Sequence, residues 1–501
     1  MSSATPSYPS SSPLAVFPAE LHTALLRLEK EQGVTIYVSG GTIRDWLLGR
    51  RPADLDLCVE EHARQCCRRL VRILEGGAYV PLGTAEEEAA RVVWRGISVD
   101  VSSFRKGAKT IAEELHHRDF TINAMAVSLH DALRATEICL VDPLGGRSDL
   151  IRKLLRCCPA AFSADPLRML RGYRFQTELG FVMDSSCVAA IQKQRSTLGR
   201  CAAERVLHEL EHIMVRKGAG GICLEMAESG LLWEIFPELE KGVGLEQPGY
   251  HHEDVFHHSI LALQCLDQVI AGVQDYFGEY AGVILTYCKD KKKCSQLRWA
   301  ALFHDLGKPT TASSGTMTGG RTTFYNHDQV GKKLFSEIAG RLRMSRQDTL
   351  GISALIEMHM HPFHLSNVRR EKPLSRKALL KICKRAGDML PGLFLLAMAD
   401  SLAGQGERKP AGMEKDLSDL FDEIEKTREE NIEPVLQGKR LVTGHDLITL
   451  FHLAPGPHFK EIFDALEIAQ VEAKVTSREE ALSWLKRYLD TRASDTIPYL
   501  F

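Results

Sequence analysis

The sequence of 501 residues lacks any run of eighteen or more apolar residues, so no membrane-spanning helix is expected. Its start, MSSATPSYPSSS, lacks the basic residues and apolar stretch of a secretory signal, and we expect a disordered tail over 1–16. The thirteen cysteines contain no pair of CxxC motifs, which disfavours a structural zinc site and favours reduced thiols in a cytoplasmic protein. A net charge of −2 excludes a wholly basic nucleic-acid coat but allows a local basic face.

The order of apolar patterns divides the chain into a mixed N-terminal part and a helical remainder. The length predicts two to four domains. Apolar spacing predicts helices over 17–31 and near 61–75 and at TIRDWLLG. The runs VTIYVSGG, ADLDLCVE, RVVWRG and ISVDVSSF predict strands, and strand patterns nearly vanish after residue 150. We therefore expect an α+β domain with a mixed sheet over 17–150, followed by all-α parts.

A glycine turn follows the first predicted strand. Gly40 and Gly41 end the strand and open a helix, where exposed backbone amides and the helix N-terminus can hold a triphosphate. Arg44 lies one turn into this helix and would reach the same phosphates. A strand, two glycines and a helix also describe any tight turn, so the neighbouring residues decide between the two interpretations.

Two aspartates lie on the next predicted strand. Asp54 and Asp56 are two residues apart, so their side chains share a face. Their mutual repulsion would be relieved by a divalent cation, and two Mg²⁺ ions could activate a hydroxyl and stabilise a leaving pyrophosphate. Asp100, in ISVDVSSF, is either a third carboxylate of this site or an outward-facing strand residue.

Together these residues read SGGTIRDWLLGRRPADLDLCV, which resembles the signature of the polymerase-beta-like nucleotidyltransferases. More narrowly, the chain is similar to class II tRNA nucleotidyltransferases and bacterial poly(A) polymerases. Four later segments agree in order: RDFTINAMA (118–126), DPLGGRSDL (142–150), ADPLRMLRGYRF (164–175) and AERVLHEL (203–210). The resemblance covers about the first 240 residues. It implies a nucleotidyltransferase head over 17–150 and a helical neck over 151–245.

The resemblance assigns a role to each motif residue. Asp54 and Asp56 would be catalytic and bind Mg²⁺. A second set would bind CTP or ATP, and it comprises Gly40, Gly41, Arg44, Arg118, Asp119, Asn123, Asp165, Arg168 and Arg171. Asp165 and Arg168 would read the base, since an acceptor and donors one helical turn apart share a face. Asp165 followed by proline also fits a helix N-cap.

The chain departs from the family pattern in two places. Ala164 stands where the family usually has a glutamate that orients the base-reading side chains. The stretch between VSSFRKG and RDFTINAMA is also short, whereas many members have a longer loop there that helps the change from CTP to ATP. Members that add only the two C residues lack that loop. The resemblance therefore allows either a CCA-adding or a CC-adding enzyme.

A second set of residues suits a metal site. His304 and Asp305 are adjacent on an apolar helix and lead into Leu-Gly-Lys-Pro, which resembles the HD phosphohydrolase superfamily. His258 and Asp400 are the expected remote ligands, and this domain is expected over 246–400. Imidazole and carboxylate ligands suit Mn²⁺, Fe²⁺, Ni²⁺ or Mg²⁺. Further ligands or phosphate contacts would come from His327 and from either His359 or His361. Relatives of this kind act as 2′,3′-cyclic phosphodiesterases or phosphatases, or keep the domain as an RNA-binding scaffold.

The remaining residues, 401–501, resemble the helical tail of family members that carry an HD domain. Within it, Pro455-Gly456-Pro457 leads into a helix whose N-terminus could meet a phosphate, or forms a simple packing corner. Basic residues cluster over 367–385 and could follow an RNA backbone together with Arg152, Lys153, Arg156, Arg171 and Arg174; solvated helix faces would look the same. GQGERKPAGMEKD, near 404–416, predicts a linker or exposed loop.

The leading hypothesis is an enzyme that transfers CMP, and also AMP if CCA-adding, from CTP and ATP to tRNA 3′ ends. Neither a membrane nor a DNA partner is expected. The alternatives are a poly(A) polymerase, which shares the same head and neck, and an HD phosphohydrolase acting on RNA ends. The C-terminal DTIPYLF lacks the basic character common in poly(A) enzymes, and an HD domain favours tRNA as the substrate.

Overall fold

The computed structural model describes residues 9, 11–83, 88–105, 107–134, 138–247, 249–314 and 322–495. These residues belong to two compact units. The first unit draws on 1–213 and 225–235, and the second on 214–224 and 236–501. The predicted division into head, neck, HD domain and tail is finer than these two units and stays a prediction.

Six strands form a mixed sheet in the first unit. They are β1 (Tyr37–Ser39), β2 (Leu55–Val59), β3 (Ala78–Leu82), β4 (Ala89–Trp94), β5 (Ile97–Ser103) and β6 (Ala126–Ser128). Their order is β3-β4-β5-β2-β1-β6; β2 and β5 are parallel, and the other neighbours are antiparallel. The parallel pair sets Asp56 opposite Asp100. The sheet therefore confirms the predicted mixed α+β fold, and β3 is a strand that sequence patterns missed.

Helices cover the sheet and continue beyond it. Those described up to residue 235 are α1 (Ala19–Gln32), α2 (Gly40–Leu47), α3 (Ala63–Ile73), α4 (Ile111–Leu115), α5 (Leu129–Ala132), α6 (Gly146–Arg152), α7 (Ala161–Ala164), α8 (Arg168–Leu179), α9 (Ser185–Gln194), α10 (Ala203–Met214), α11 (Ala219–Glu228) and α12 (Leu231–Ile235). Short 3₁₀ turns lie at Thr121–Asn123 and Arg195–Arg200, and β7 (Leu154–Leu155) pairs with β8 (Val182–Met183). The predicted first helix is confirmed, because Leu21, Leu25 and Leu28 recur at helical spacing and are all buried.

The second unit is almost entirely helical. Its helices are α13 (Pro237–Glu240), α14 (Val255–Ala271), α15 (Val273–Tyr276), α16 (Ala281–Cys288), α17 (Lys291–Phe303), α18 (Lys308–Thr311), α19 (His327–Arg341), α20 (Arg346–Met358), α21 (His361–Glu371), α22 (Arg376–Ala386), α23 (Leu390–Ala403), α24 (Met413–Thr427), α25 (Glu433–Gln437), α26 (Gly444–Phe451), α27 (His458–Val471) and α28 (Arg478–Asp495). A π-helical turn spans Arg428–Ile432, and the hairpin strands are β9 (Ser313–Ser314) and β10 (Thr322–Thr323).

The core of the second unit forms where α14, α17 and α23 pack together. Helix α23 is buried along nearly its whole length because its sequence, LPGLFLLAMADSLA, is apolar on all sides. Within the described residues, the one helical stretch apolar and long enough to cross a membrane is Arg376–Ala403, and 78% of its most apolar window is buried inside the protein. A buried core helix has the same length and apolar composition as this segment.

The last three helices share a small hydrophobic core of their own. Val442, Leu447, Ile462, Leu466 and Leu485 are among its buried members. Helix α27 begins at His458, directly after the predicted Pro-Gly-Pro turn. Thr443 caps α26 through a reciprocal hydrogen bond with Asp446, which fixes the entry of the chain into this core.

Two predicted flexible segments are instead packed. Residues 11–16 belong to the predicted tail, yet Leu14 is fully buried and the carbonyl of Ser11 accepts the Trp46 indole N–H at 2.8 Å. The predicted linker at 404–416 is also held, because the amides of Gly406 and Arg408 donate to the chain at Tyr250 and Gly249. The prediction of disorder was wrong for residues 11–16, because polar composition does not reveal packing partners, whereas 404–412 is a loop with several exposed residues, one of the two predicted alternatives. Residues 1–8 and 10 lie outside the described part.

Candidate active sites

Thr42 fixes the two predicted metal-binding aspartates against α2. Its hydroxyl donates to the Asp54 carbonyl at 3.1 Å and accepts the Asp56 amide at 2.8 Å. Strand β2 begins at Leu55, so Asp54 lies just before the strand and is exposed, whereas Asp56 is half-buried within it. The backbone therefore presents two carboxylates side by side at the start of one strand.

The turn at Gly40 and Gly41 needs glycine because Asp56 lies directly against it. Gly40 has φ +61°, and a Cβ on either glycine would come within 2.9 Å of Asp56 Oδ2. The Gly41 amide donates to this oxygen at 2.7 Å. The turn thus positions Asp56, and the contact of both glycines with a triphosphate stays a prediction.

Asp100 lies beside Asp56 in the register of β2 and β5. Arg91 donates to both of its oxygens, at 2.6 and 2.8 Å. Burial raises the pKa of Asp56; the charge of Arg118 opposes this shift and that of Asp100 adds to it. Asp100 is therefore a neighbour of the aspartate pair, with its own charge balanced by Arg91.

A hydrogen-bonded chain joins four of the predicted nucleotide-binding residues. Arg44 Nη1 donates to Asn123 Oδ1 at 2.9 Å, and Asn123 Nδ2 donates to Asp119 Oδ1 at 3.0 Å. The other Asp119 oxygen is 2.8 Å from Arg171 Nη2. Burial opposes ionisation of Asp119, but Arg171 and Arg168 outweigh it and hold the pKa of this carboxyl well below its usual range. The chain of contacts keeps the side chains of α2 and α8 in fixed positions facing one cavity.

The buried carboxylate of Glu114 positions Arg118. Glu114 is fully buried in α4, 3.4 Å from Arg118 Nε and 3.6 Å from Arg105 Nη1. It also accepts the Arg105 amide at 2.6 Å, and Arg118 donates onward to the Ser39 hydroxyl at 3.3 Å. A buried acid between two guanidinium groups holds Arg118 toward the strand that ends at the glycine turn.

The predicted base-reading pair lies in the same cavity but has partners of its own. Arg168 Nη1 donates to the carbonyls of Arg118 at 3.0 Å and Ala161 at 3.4 Å. Asp165 Oδ2 is 2.8 Å from Arg205 Nη2 on α10. Arg205 therefore restrains the acceptor of the pair.

The structure supports the predicted cap at Asp165. Asp165 has an extended backbone, its Oδ1 accepts the Leu167 amide at 3.2 Å, and its carbonyl accepts the Arg168 amide at 3.1 Å. The regular part of α8 begins at Arg168, after the turn that Asp165 caps. Asp165 and Arg168 are therefore joined by one turn and line one cavity.

One cavity of about 1090 Å³ collects all the predicted residues of the first unit. Its lining includes Gly40, Gly41, Arg44, Asp54, Asp56, Arg118, Asp119, Asn123, Asp165, Arg168 and Arg171. Around the Phe175 ring stand Arg44, Arg171 and Arg174, with guanidinium carbons 4.6–5.6 Å from its centroid. Two adjacent carboxylates facing a ring of guanidinium groups fit a divalent cation that carries a polyphosphate.

In the second unit, six buried or half-buried histidines and aspartates lie together, and two of them, His304 and Asp305, form the HD motif. His258 Nε2 is 3.0 Å from Asp400 Oδ1 and 3.7 Å from Asp305 Oδ2, and His304 Nε2 is 3.2 Å from Asp305 Oδ2. The other Asp305 oxygen, Oδ1, is 3.5 Å from His327 Nε2 and 3.8 Å from His359 Nε2. Asp305 thus stands between two pairs of imidazoles. Sequence reasoning predicted this cluster, including His327.

Backbone carbonyls orient three of these histidines. The Nδ1 atoms of His304, His327 and His359 lie 2.9, 2.8 and 2.7 Å from the carbonyls of Ala301, Phe324 and Ile356. Each ring therefore donates through Nδ1 and turns its Nε2 atom toward Asp305. Nε2 coordination supported by an Nδ1 hydrogen bond is a common arrangement in metal-binding histidines.

The cluster brings imidazole nitrogens close to one another. The Nε2 atoms of His327 and His359 are 3.1 Å apart, and two neutral rings that both donate through Nδ1 would face each other with lone pairs. Within the described residues, the buried atoms without a hydrogen-bond partner include His258 Nδ1, His304 Nε2 and His251 Nδ1. Three groups of potential ligands form here, and one of them joins His251 to His258 and Asp400. These groups fit divalent cations, with Asp305 shared between neighbouring positions.

The histidines differ in their tendency to take a proton. Burial lowers the pKa of His359 to about 3 and of His251 to about 2, with neighbouring positive groups adding to the effect. Burial also opposes protonation of His304, but Asp305 and Asp400 outweigh it and raise its pKa to about 9. Neutral imidazoles are the form that binds metals, so His359 and His251 are in that form at neutral pH.

A cavity of about 640 Å³ opens above this cluster. Lys308 lies in its wall, with Nζ 2.6 Å from Asp305 Oδ2 and hydrogen-bonded also to Gln247. Two tyrosines, Tyr250 and Tyr325, line the same cavity. A phosphate near the cluster would therefore meet a buried ammonium group as well as any bound cation.

The structure resolves two sequence expectations about the second unit. Of His359 and His361, only His359 joins the cluster in the described residues, because His361 Nε2 contacts Arg385 Nη1 at 2.7 Å. Half of the basic residues over 367–385 are paired with carboxylates. The partners are Glu423 for Arg369, Asp416 for Arg370, Asp464 and Glu467 for Lys384, and Glu357 for Arg385. These four side chains link helices, and a basic track for RNA along this segment stays a prediction.

Sequence reasoning missed four residues of these sites: Glu114, Arg205, His251 and Lys308. Lys308 lies inside the Leu-Gly-Lys-Pro motif, three residues after Asp305, and His251 lies seven residues before His258, so their spacing could have suggested them. Glu114 lies four residues before Arg118, a spacing that could also have suggested this pair. Arg205 contacts Asp165 across 40 residues of sequence, which no local pattern records.

The fold and the first cavity define a nucleotidyltransferase with a mixed-sheet head, followed by a helical HD domain. The Poly A polymerase head domain matches residues 36–156, the RNA and SrmB-binding site of polymerase A 180–242, the HD domain 272–403 and the tRNA nucleotidyltransferase domain 2 family 419–485. His258 precedes the HD match, yet the structure places it in the cluster.

Two full-length relatives identify the family. The A-adding tRNA nucleotidyltransferase of Deinococcus radiodurans is 33% identical over 458 residues, covering 90% of this chain and 95% of the relative. The CC-adding tRNA nucleotidyltransferase of Thermus thermophilus is 30% identical, covering 89% and 92%. A Thermotoga maritima CCA-adding enzyme complexed with tRNA shares the fold, with a TM-score of 0.61 at 19% identity over 95% of this chain and 97% of that one. The chain belongs to the tRNA nucleotidyltransferase family.

Proposed function

We propose that this protein extends the 3′ end of tRNA by transferring CMP or AMP from CTP or ATP at the cavity of the first unit. The observation that carries the proposal is the meeting of Asp54 and Asp56 with the glycine turn and the guanidinium groups in one cavity. Neither carboxylate has a basic side chain within ion-pair distance among the described pairs, so both stand ready for cations.

The residues of the cavity divide the work among them. Asp54 and Asp56 would hold Mg²⁺, which supplies activation of the attacking 3′ hydroxyl and stabilisation of the leaving pyrophosphate. Arg44, Arg118 and Arg171 neutralise the triphosphate and keep it oriented, since their own positions are fixed by Asn123, Glu114 and Asp119. This fixed positive field costs no reorganisation as negative charge moves to the leaving group.

Base choice rests on Asp165 and Arg168 at the other wall of the cavity. With alanine at 164, backbone carbonyls rather than a glutamate orient Arg168. Arg205 holds Asp165 in turn. We infer that these side chains accept fewer kinds of nucleotide than those of a complete CCA-adding enzyme. The chain would then add only part of the CCA end. The support is that both full-length relatives above are A-adding or CC-adding enzymes.

Three tRNA transcripts test the proposal: one ending before CCA, one after the first C and one after CC. Each is incubated with CTP alone, ATP alone and both, and the products are resolved to single nucleotides. Addition of two C residues and arrest, or addition of a single A to the CC end alone, would agree with partial addition. Complete CCA synthesis would overturn partial addition but not the site, and a long A ladder would assign a poly(A) polymerase. No extension would contradict the proposed function.

A second proposed activity is metal-dependent phosphohydrolysis at the HD cluster. The observation that favours it is the convergence of the imidazole nitrogens and Asp305 beneath a cavity lined by Lys308. His258, His304, Asp305 and Asp400 would hold one cation and, through Asp305, His327 and His359 would hold a second. Mn²⁺, Fe²⁺, Ni²⁺ or Mg²⁺ would supply an activated water for attack on a phosphoester. Hydrolysis of a 2′,3′-cyclic phosphate by the metal-loaded protein tests it, and inactivity with every one of these metals would contradict it.

A further inference from the structure

The cavity above the HD cluster has an aromatic rim. Among the large apolar and aromatic side chains that are exposed in the described part of the chain, two are aromatic: Tyr325, 77% exposed, and Tyr250, 50% exposed. Both line this cavity. Exposed aromatic rings are costly to leave in water, so their joint placement at one opening points to a ligand with a flat surface.

The position of Tyr250 is built into the fold. Its carbonyl accepts the Gly406 amide at 2.8 Å, and the carbonyl of the preceding Gly249 accepts the Arg408 amide at 2.9 Å. A Cβ on Gly406 would overlap the backbone at Gly249, so the approach depends on glycine. On its other side, Tyr250 is followed by His251, whose ring packs 4.1 Å from that of His258. The tyrosine is thus presented from a backbone clamped to the metal cluster.

Tyr325 lies in a different segment of the chain and is held in place in a similar way. Phe324, just before it, accepts a hydrogen bond from His327 Nδ1 at 2.8 Å and lies against the Lys308 ammonium. Asn326, just after it, adopts φ +60° and ends the turn that opens α19. Phe324 is therefore fixed by contacts with His327 and Lys308, and Asn326 by its place at the start of α19.

The floor and the rim of the cavity recognise different parts of one molecule. The floor presents Asp305, Asp400 and Lys308, which suit a phosphate held by cations and an ammonium group. The rim presents the tyrosine rings, with His364 and Asn367 as polar neighbours. A phosphate joined to an aromatic base satisfies both regions, whereas an isolated phosphate or a lipid headgroup satisfies only the floor.

We propose that Tyr250 and Tyr325 bind the terminal base of an RNA by stacking and so place its terminal phosphate at the HD cluster. The proposal rests on the proposed phosphohydrolase function and names the residues that set its substrate class. Stacking accepts every base, so the site takes nucleotide ends without strong sequence preference.

Kinetics with and without a base test this assignment. A nucleoside 2′,3′-cyclic phosphate is compared with glycerol 1,2-cyclic phosphate, which has no base, in the metal-loaded protein. Removing a stacking partner costs roughly 5- to 100-fold in binding, so Tyr325→Ala and Tyr250→Ala should each raise KM for the nucleotide by about tenfold or more. Neither should change kinetics with the glycerol compound, and Tyr325→Phe should behave as wild type. Equal effects on both substrates, or no effect on either, would overturn the proposal.

Cross-linking provides a readout that does not depend on hydrolysis. A short RNA ending in 5-iodouridine 3′-phosphate is irradiated with the metal-loaded protein, and cross-linked peptides are identified by mass spectrometry. The proposal expects cross-links at Tyr250 or Tyr325 that excess inorganic phosphate reduces. Cross-links without hydrolysis would refute the phosphohydrolase while keeping the RNA-end site. Cross-links confined to peptides of residues 36–213 would overturn the site itself.

Discussion

The two sites solve the problem of clustered charge in different ways. In the first unit, the nucleotide-facing groups are already paired with one another, as in the chain from Arg44 through Asn123 and Asp119 to Arg171. In the second unit, imidazole nitrogens face one another and Asp305, and the Nε2 atoms of His327 and His359 are 3.1 Å apart. The groups of the first site are thus balanced without a cation, whereas those of the second form clusters of potential metal ligands. We infer that the first unit takes up a metal with its substrate and that the second unit keeps one bound.

The largest expected effect comes from one matched substitution in each site, which tests whether the two sites are independent. Asp54→Asn should lower nucleotide addition at least ~1,000-fold, because removal of a metal-binding carboxylate removes transition-state stabilisation. Single-nucleotide extension assays measure this loss. Asp305→Asn, the same chemical change in the second unit, should leave extension within twofold of wild type. Equal loss in both variants would show that the sites are not independent.

Asp305→Asn should in turn abolish hydrolysis of a 2′,3′-cyclic phosphate and any stabilisation by metal. Anything that binds the folded state raises its melting temperature by mass action, so wild type should melt several degrees higher with Mn²⁺ than after chelation. Calorimetry with and without metal measures the shift. Asp54→Asn should retain it, and a shift of equal size in Asp305→Asn would place the resident metal elsewhere.

Arg205→Gln should relax nucleotide selection by about tenfold, since it frees Asp165 from its 2.8 Å ion pair. The ratio of kcat/KM for CTP and ATP measures the change. Arg200→Gln offers a control with the same chemistry on a neighbouring 3₁₀ turn. An unchanged ratio together with unchanged rates would leave Arg205 as a purely structural residue.

Glu114→Gln should raise KM for the nucleotide a few-fold with little change in kcat, because the buried acid that positions Arg118 loses its charge. Glu113→Gln, an exposed neighbour on the same short helix, should have no such effect. Steady-state kinetics at saturating tRNA compare the two. A fall in kcat with constant KM would instead place Glu114 in the chemical step.

The smallest effect concerns the stability of the second unit. Burial raises the pKa of Glu425 to about 7, although the charge of Arg428 opposes it. An acid whose pKa is raised on folding stabilises the fold below its unfolded pKa, and this stabilisation is lost as pH rises from about 4.5 to about 7. Glu425→Gln should therefore flatten the fall in melting temperature between pH 5 and 8 by a few degrees. The exposed Glu430→Gln serves as the control, and a flattening of equal size there would refute the assignment.

Some features of the two units could be predicted from the sequence, and others could not. The glycine turn, Asp54, Asp56 and the HD ligands were predictable because each depends on local spacing or on a family motif. The packing of Leu14 and the clamp of residues 404–408 on Tyr250 were not, because they depend on long-range backbone contacts. The same holds for Arg205, whose partner Asp165 lies 40 residues away in the sequence. Charge patterns could not show which basic residues over 367–385 form ion pairs, since a basic run does not reveal the carboxylates that face it.

The central claim is that the second unit holds a resident metal and the first does not. It is tested most directly by the metal content of protein dialysed without nucleotide. The account predicts about two bound divalent ions per chain in wild type, the same number in Asp54→Asn, and a loss in Asp305→Asn. Wild type that retains no metal, or an Asp54→Asn variant that loses it, would contradict the account.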